Sequence, residues 1–226
     1  MFQITICVMG EDKRQDYLAQ YLQEQGFIVK RHARFSPAIL VGADILIGPV
    51  TIYKNGKLLP EIEEACNKEK VSVLNYMASE DFLLRNAELT AEGFLALLIQ
   101  NTPFSLKEAN ILLLGLGRCG KALKKLLGKM DAHVDAYDVV PDKIPTAQSY
   151  RVVINTIPAP VISRDHLETF HPDCILFDIA SAPGGFDKEA VEELALNLIT
   201  CPGIPGKFSP QSAGYAIGES AIGFLN

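Results

Sequence analysis

The sequence has no tryptophan, no Cys-x-x-Cys pair among its five cysteines, only four histidines, and no long hydrophobic run. Each shortage removes a class of protein. Cys7, Cys66, Cys119, Cys174 and Cys201 are odd in number and unclustered, which argues against a disulfide framework and fits a reducing cytoplasm, the expected location. His32, His133, His166 and His171 stand apart at spacings that metal sites do not use, so no metal is expected. Positive charge is short as well: 21 Lys and Arg against 27 Asp and Glu leave a net charge of −6, which argues against a nucleic-acid partner. The longest apolar runs, such as Phe94 to Ile99 and Ile111 to Leu114, fall far below the roughly 20 residues that cross a bilayer. No basic segment precedes the short apolar stretch near the N-terminus, so neither a membrane span nor a secretory leader is expected.

What is present is the make-up of an ordinary globular chain: 226 residues, 48% hydrophobic and 21% charged, without low-complexity tracts or internal repeats. That length holds one large or two small domains, each just able to bury its own core.

The strongest local signal is Ile111 to Gly120, ILLLGLGRCG, where an apolar run of strand character breaks into glycines at Gly115, Gly117 and Gly120. In a dinucleotide fingerprint the first glycine permits the strand-to-helix turn, the second has no Cβ to block a pyrophosphate, and the third lets the helix lie against the strand. The pattern alone is weak, but its context is right. Lys121 to Lys129 places Ala122, Leu123, Leu126 and Leu127 on one helical face, so the N–H groups of Arg118 and Cys119 sit at a helix N-terminus that favours an anion. His133 to Asp138 then alternates like a second strand, ending in an acid 18 residues beyond Gly120. Such an acid accepts hydrogen bonds from the ribose hydroxyls of NAD and repels the 2′-phosphate of NADP. With Val139 beside it and Lys143 the nearest downstream cation, the expected cofactor is NAD, or NADP at lower affinity.

Read in order, Gln3 to Met9 is a strand, Asp12 to Gln25 an amphipathic helix, Phe27 to Lys30 and Ile45 to Ile47 further strands. Asn55-Gly56 marks a tight hairpin, Pro60 opens a helix over Glu61 to Lys68, and Val71 to Leu74 is a short buried strand. Ser79 is expected to cap a helix at Glu80 to Arg85, and Thr90 a second one from Ala91 to Gln100, with Glu92 in its first turn. Between Asp138 and the next apolar run, Val152 to Ile157, there is no room for a crossover helix and a strand. The expected fold is therefore α/β: a Rossmann-like doubly wound parallel sheet, trimmed by loss of the third strand, plus a smaller N-terminal α/β domain. Further helices are expected at Arg164 to Phe170 and Lys188 to Leu196, and strands at Cys174 to Ile179 and Leu198 to Cys201. The expected domains are 1–78, a helical linker over 79–104, and the nucleotide-binding domain over 105–226.

Loops rich in glycine, proline and small polar residues leave the strand ends at Asn155 to Pro158, Ser181 to Gly185 and Pro202 to Gly206. Glycine and proline are turn formers first. Asn155 and Ser181 carry side chains able to bond ribose or amide groups and join Gly115, Gly117, Arg118, Cys119, Gly120 and Asp138 as candidate cofactor contacts.

These segments, together with Asn86, Thr90-Ala91-Glu92-Gly93, Asp178-Ile179-Ala180-Ser181 and Ala213-Gly214, resemble the A subunit of dipicolinate synthase, an oxidoreductase of spore-forming bacteria. The resemblance runs from about Ser79 to the C-terminus, with a weaker match at Gly10 to Gln15. It implies NADP-linked oxidation of a hydroxy-tetrahydrodipicolinate to pyridine-2,6-dicarboxylate alongside a flavoprotein second subunit; a homo-oligomer is compatible with the same reading. Such a substrate asks for cations on its carboxylates and a base for one proton. Arg14 is the candidate cation, with Arg85 and Lys207 as alternatives, and Glu92 the candidate proton acceptor. Arg14, Glu92, Asn155 and Ser181 are expected to line a cleft between two lobes. The chain departs from the family's pattern at Ala182 and Gln211, where the family carries lysines, which keeps open a nucleotide-binding accessory subunit without turnover, or a dehydrogenase of another small acid.

Overall fold

A computed structural model of the chain describes residues 3–138, 144–145 and 148–225. In chain order the elements are β1 (Thr5–Met9), α1 (Lys13–Glu24), β2 (Ile28–His32), β3 (Ile45–Ile47), β4 (Tyr53–Lys54), β5 (Lys57–Leu58), α2 (Pro60–Glu69), β6 (Ser72–Val73) and α3 (Glu80–Asn101). There follow β7 (Asn110–Leu114), α4 (Arg118–Lys129), β8 (His133–Tyr137), β9 (Val152–Asn155), α5 (Arg164–Leu167), β10 (Ile175–Asp178), α6 (Lys188–Glu193), β11 (Asn197–Thr200), α7 (Ile204–Phe208) and α8 (Pro210–Leu225). They form two compact units: Met1–Asn86 with Pro205–Asn226, and Ala87–Ile204.

The first unit is built on a parallel sheet in the order β2-β1-β3-β6. Its central strand is buried on both sides, which is why Ile6, Cys7 and Val8 form an unbroken apolar run instead of an alternating one. Ile6 and Val8 pack with Leu18 and Leu22 of α1 and with Ile217 and Ala221 of α8. Cys7 and Met9 face the opposite way, onto Ile39, Leu40 and Ile62. The hairpin at Asn55-Gly56 is present between β4 and β5, with φ of 52° and 76° at the two turn residues, the left-handed pair that a two-residue hairpin loop demands.

The second unit carries a five-stranded parallel sheet ordered β8-β7-β9-β10-β11. In dinucleotide-fold terms this is 2-1-4-5-6. Among the described residues no strand lies beside β8 on its outer edge, in keeping with the short span before Val152. Ile111, Leu113, Ile154 and Phe177 face Phe94 and Leu98 of α3 and Leu123 and Leu127 of α4, with Phe94 meeting Phe177 edge-on at 5.3 Å. Leu112, Leu114, Val153 and Leu176 face Leu167, Phe170 and Val191. Both faces are thus covered by helices.

Two expectations are corrected. Residues 79–104 do not hold two capped helices: α3 is one helix of 22 residues, begun by a hydrogen bond from the Phe82 N–H to Ser79 Oγ at 3.2 Å. Thr90 is therefore interior and buried, and Glu92 is not in a first turn, because Asn86 to Leu89 contains nothing that stops a helix. Nor do residues 105–226 form one unit. Pro205–Asn226 joins the N-terminal residues because Gly214 and Gly218 of α8 press on α1: a β-carbon on Gly214 would meet the Arg14 carbonyl oxygen at 2.5 Å and the Leu18 nitrogen at 2.9 Å.

Candidate functional site

The glycine turn after β7 has the geometry its spacing promised. The Gly115 N–H donates to the Tyr137 carbonyl at 2.8 Å, tying the turn to the end of β8. Gly115 adopts φ +95°, and a side chain there would also strike Thr156 and Ile157. Thr156 is what holds the turn from below: its hydroxyl donates to the carbonyls of Leu114 and Gly115 at 3.1 and 3.3 Å. Gly117 is the N-cap of α4 and is exposed; a β-carbon on it would have nothing within 4 Å. Gly120 is the opposite case, buried with its α-carbon laid against the Gly115 peptide, so that a β-carbon would sit 2.8 Å from the Gly115 carbonyl carbon. The three glycines divide the work: one bends, one leaves room outside, one leaves none inside.

Asp138 follows β8 directly. Its Oδ1 accepts the Leu116 N–H at 3.2 Å, which ties this exposed carboxylate to the glycine turn. Arg118 is exposed on the first turn of α4, beside the open space at Gly117. Cys119 is held towards its protonated form. Burial pushes its pKa up, and this outweighs the hydrogen bond with Thr90 and the charge of Arg118 that work to lower it.

The loops at the other strand ends are cross-braced. Asn155 is fully buried, with Nδ2 donating to Asp178 Oδ1 at 2.9 Å and to the Ile157 carbonyl at 3.0 Å while Oδ1 accepts the Ile157 N–H at 3.1 Å. Both amide donations and one lone pair are thus used within the protein, and the side chain braces the loops. Asp178, which the sequence singled out only within a motif, accepts from the Ala180 N–H through Oδ1 at 3.2 Å and from the Gly185 N–H through Oδ2 at 2.9 Å. The buried Asn155–Asp178 pair joins side chains 23 residues apart at the ends of neighbouring parallel strands, a contact that no local pattern announces. Ser181 is exposed, and its carbonyl accepts the Gly184 N–H at 3.0 Å.

Gly115, Gly117, Arg118, Gly120, Asp138 and Thr156 thus come together around one turn of the second unit. Glu92 is exposed on α3 of the same unit. Arg14 belongs to the first unit, where its guanidinium binds Asp12 at 2.8 Å, so it does not present the unpaired charge that its sequence position suggested. Val139 and Lys143 lie outside the described residues. No helix of the described residues is long and apolar enough to cross a membrane.

No family model matches the chain. The dipicolinate synthase A subunit of Bacillus subtilis (strain 168) is 26% identical over 170 residues, 68% of this chain and 57% of that protein, so the chain spans little more than half the length of its curated relative. The crystal structure of the dipicolinate synthase A subunit from Bacillus halodurans superposes with a TM-score of 0.82 at 21% identity, covering 100% of this chain and 99% of that one. An NAD+-bound 3-phosphoglycerate dehydrogenase from Entamoeba histolytica superposes with a TM-score of 0.64 at 17% identity, covering 98% and 94%. In sequence over those 170 residues, and in fold from end to end, the chain is similar to the A-subunit family of dipicolinate synthase.

Proposed function

We propose that the chain is a nicotinamide-dinucleotide-dependent oxidoreductase subunit that oxidises a cyclic dicarboxylate of the hydroxy-tetrahydrodipicolinate type, with a flavoprotein partner. The observation that carries the reading is the glycine turn: open space outside Gly117, a helix N-terminus facing it, and a carboxylate held against the same turn by the Leu116 N–H. The N–H groups at the start of α4 and the Arg118 side chain favour a pyrophosphate there, while the Asp138 carboxylate is the proposed acceptor for the ribose hydroxyls. Bound nicotinamide supplies the hydride acceptor. The braced loops at Asn155 to Pro158 and Ser181 to Gly185 give rigid walls at the strand ends, with Ser181 offering its hydroxyl. Glu92 is the candidate proton acceptor, an exposed carboxylate on the helix that covers the sheet.

Asp138 favours NAD over NADP, because a 2′-phosphate would stand beside its carboxylate. The difference is on the order of 1 to 3 kcal/mol, the scale of one charge-assisted hydrogen bond together with one repulsion avoided. Titrating NAD+ and NADP+ into wild type and Asp138→Asn tests this. Wild type binds NAD+ tighter, the variant loses most of that preference, and tighter binding of NADP+ by wild type overturns the assignment.

A second reading is favoured by Ala182 and Gln211, neutral where the family is cationic: an accessory subunit that binds nucleotide without turnover. Reduction of nucleotide when purified chain meets the cyclic dicarboxylate, alone or with the flavoprotein, supports the enzyme. Binding of nucleotide without reduction in either mixture supports the accessory role.

A further inference from the structure

Two features of the second unit that the dinucleotide site leaves unused meet along one edge of its sheet. β8 is the outermost strand in the order β8-β7-β9-β10-β11. It pairs with β7 in unbroken register from Asn110↔His133 to Leu114↔Tyr137, and the Gly115 N–H donates to the Tyr137 carbonyl at 2.8 Å. In a parallel ladder one residue points both its N–H and its C=O at the neighbouring strand, and the next points both away. His133, Asp135 and Tyr137 therefore turn to β7, and the backbone groups of Val134 and Ala136 face outward, where no strand of the described residues takes them up. Edge strands are commonly blunted by lysine, proline or a bulge. The edge strand β2 of the first unit carries Lys30 and Arg31, whereas β8 has none of these devices.

The second feature is charge. In a chain of net charge −6, α4 carries Arg118, Lys121, Lys124, Lys125 and Lys129 and no acid, and all five are exposed. Arg118 belongs to the phosphate turn. Among the described residues the four lysines make no ion pair. Their direction follows from the helix period. Leu123 and Leu127 point into the sheet, and Cys119, hydrogen-bonded to Thr90 of α3, marks the flank turned to α3, with Ala122 and Leu126 beside it. At about 100° per residue, Lys121 and Lys124 fall on the opposite flank. Because α3 stands over β10, where Phe94 meets Phe177, that opposite flank overhangs the outer edge of β8.

We propose that the outer edge of β8 is a docking site for an extended acidic segment of a partner protein, which adds to the sheet as a further strand. Its backbone takes up the outward N–H and C=O groups of Val134 and Ala136. The side chains of Val134 and Ala136 lie on the α4 face, so every second residue of the added strand comes beneath Lys121 and Lys124, and these residues are the acids. The residues between them share the other face with Asp135, which repels a further acid. A second copy of the chain fits less well, because antiparallel pairing of two β8 edges about a two-fold axis sets the two α4 helices and their lysines side by side on one face.

The probes are two short peptides of threonine, one with glutamate and one with lysine at every second position, titrated into the full chain by fluorescence anisotropy, with amide hydrogen exchange followed by NMR. The glutamate peptide binds about tenfold tighter at low salt, the scale of two exposed ion pairs made in place of two repulsions, and the difference shrinks as salt rises. On binding, exchange slows at the Val134 and Ala136 amides and changes little at Asp135 and Tyr137, whose amides are already bonded to β7. Lys121→Glu combined with Lys124→Glu reverses the preference, so that the lysine peptide binds the tighter. Val134→Pro removes an outward N–H without touching the β7 ladder and weakens the glutamate peptide. Thermal unfolding reports whether each variant is folded, and the charge exchange, which lies on the exposed face of α4, decides the matter if the proline variant is not. Binding of neither peptide, equal affinity for both, a preference that survives the charge exchange, or unchanged exchange at Val134 and Ala136 overturns the site. A wild-type chain that sediments as a dimer which Val134→Pro dissolves overturns the acidic segment in favour of a second copy.

Discussion

Exchanging the second and third glycines of the phosphate turn separates binding from folding. Gly117→Val places branched carbons where nothing lies within 4 Å, on a residue whose φ of −65° and ψ of −167° any side chain adopts. Its stability cost is therefore that of an ordinary surface change, within about 0.5 kcal/mol. Gly120→Ala drives one carbon into the Gly115 carbonyl oxygen, 2.8 Å from its carbonyl carbon and 3.4 Å from Thr156 Oγ1, and the nearest neighbours are backbone that also carries the turn. Overpacking of this kind costs about 1 to 3 kcal/mol, and the rigidity of the strand-turn-helix junction puts this case at the upper end. For a chain of this size about 3 kcal/mol corresponds to a fall of roughly 6 to 12 °C in Tm. Gly117→Val leaves Tm within about 2 °C of wild type and lowers dinucleotide affinity at least about 100-fold, or about 2.7 kcal/mol. Calorimetric unfolding and nucleotide titration of both variants read the two effects independently. A Gly117→Val protein that binds NAD+ as well as wild type refutes the assignment of this turn to pyrophosphate, and a Gly120→Ala protein with unchanged Tm refutes the packing argument.

Two further outcomes concern the first unit. In α8, Gly214→Ala gains about 1 kcal/mol of helix propensity but meets α1 backbone at 2.5 Å, whereas Gly223→Ala gains the same propensity with nothing within 4 Å. Urea unfolding is expected to show Gly223→Ala stabilised and Gly214→Ala destabilised, and stabilisation of both contradicts the α1–α8 packing. Asp12 supplies a pH dependence: burial pushes its pKa up, but the hydrogen bonds and charge of Arg14 outweigh burial and hold it below the ordinary carboxylate value. A depressed folded pKa means that the stabilisation is present above the unfolded value of about 3.9 and is lost as pH falls through the folded value. The stability difference between wild type and Asp12→Asn should hold steady from pH 7 to about pH 5 and shrink below about pH 4; a difference that persists undiminished to pH 3 removes Asp12 from the acid limb.

The glycine turn, the strand it ends, the helix it opens and the acid at Asp138 were legible in the sequence because each is a local pattern of period, turn chemistry and spacing. The trimmed sheet was legible by counting, since Val139 to Tyr150 is too short for a crossover and a strand. Tertiary structure decided what depends on neighbours distant in the chain. Asn155 is an exposed-looking polar residue in a loop motif until the folded sheet turns it inward, where it donates to Asp178. Thr90 has every mark of an N-cap, yet α3 passes through it because Phe94 and Leu98 pack on the sheet and no helix breaker precedes it. The C-terminal helix escaped the sequence reading although Ser209-Pro210 and Gly214-x-x-x-Gly218 announce a start and a close-packing face. Only the contact of that face with the α1 backbone shows that the last residues of the chain complete the unit begun by the first.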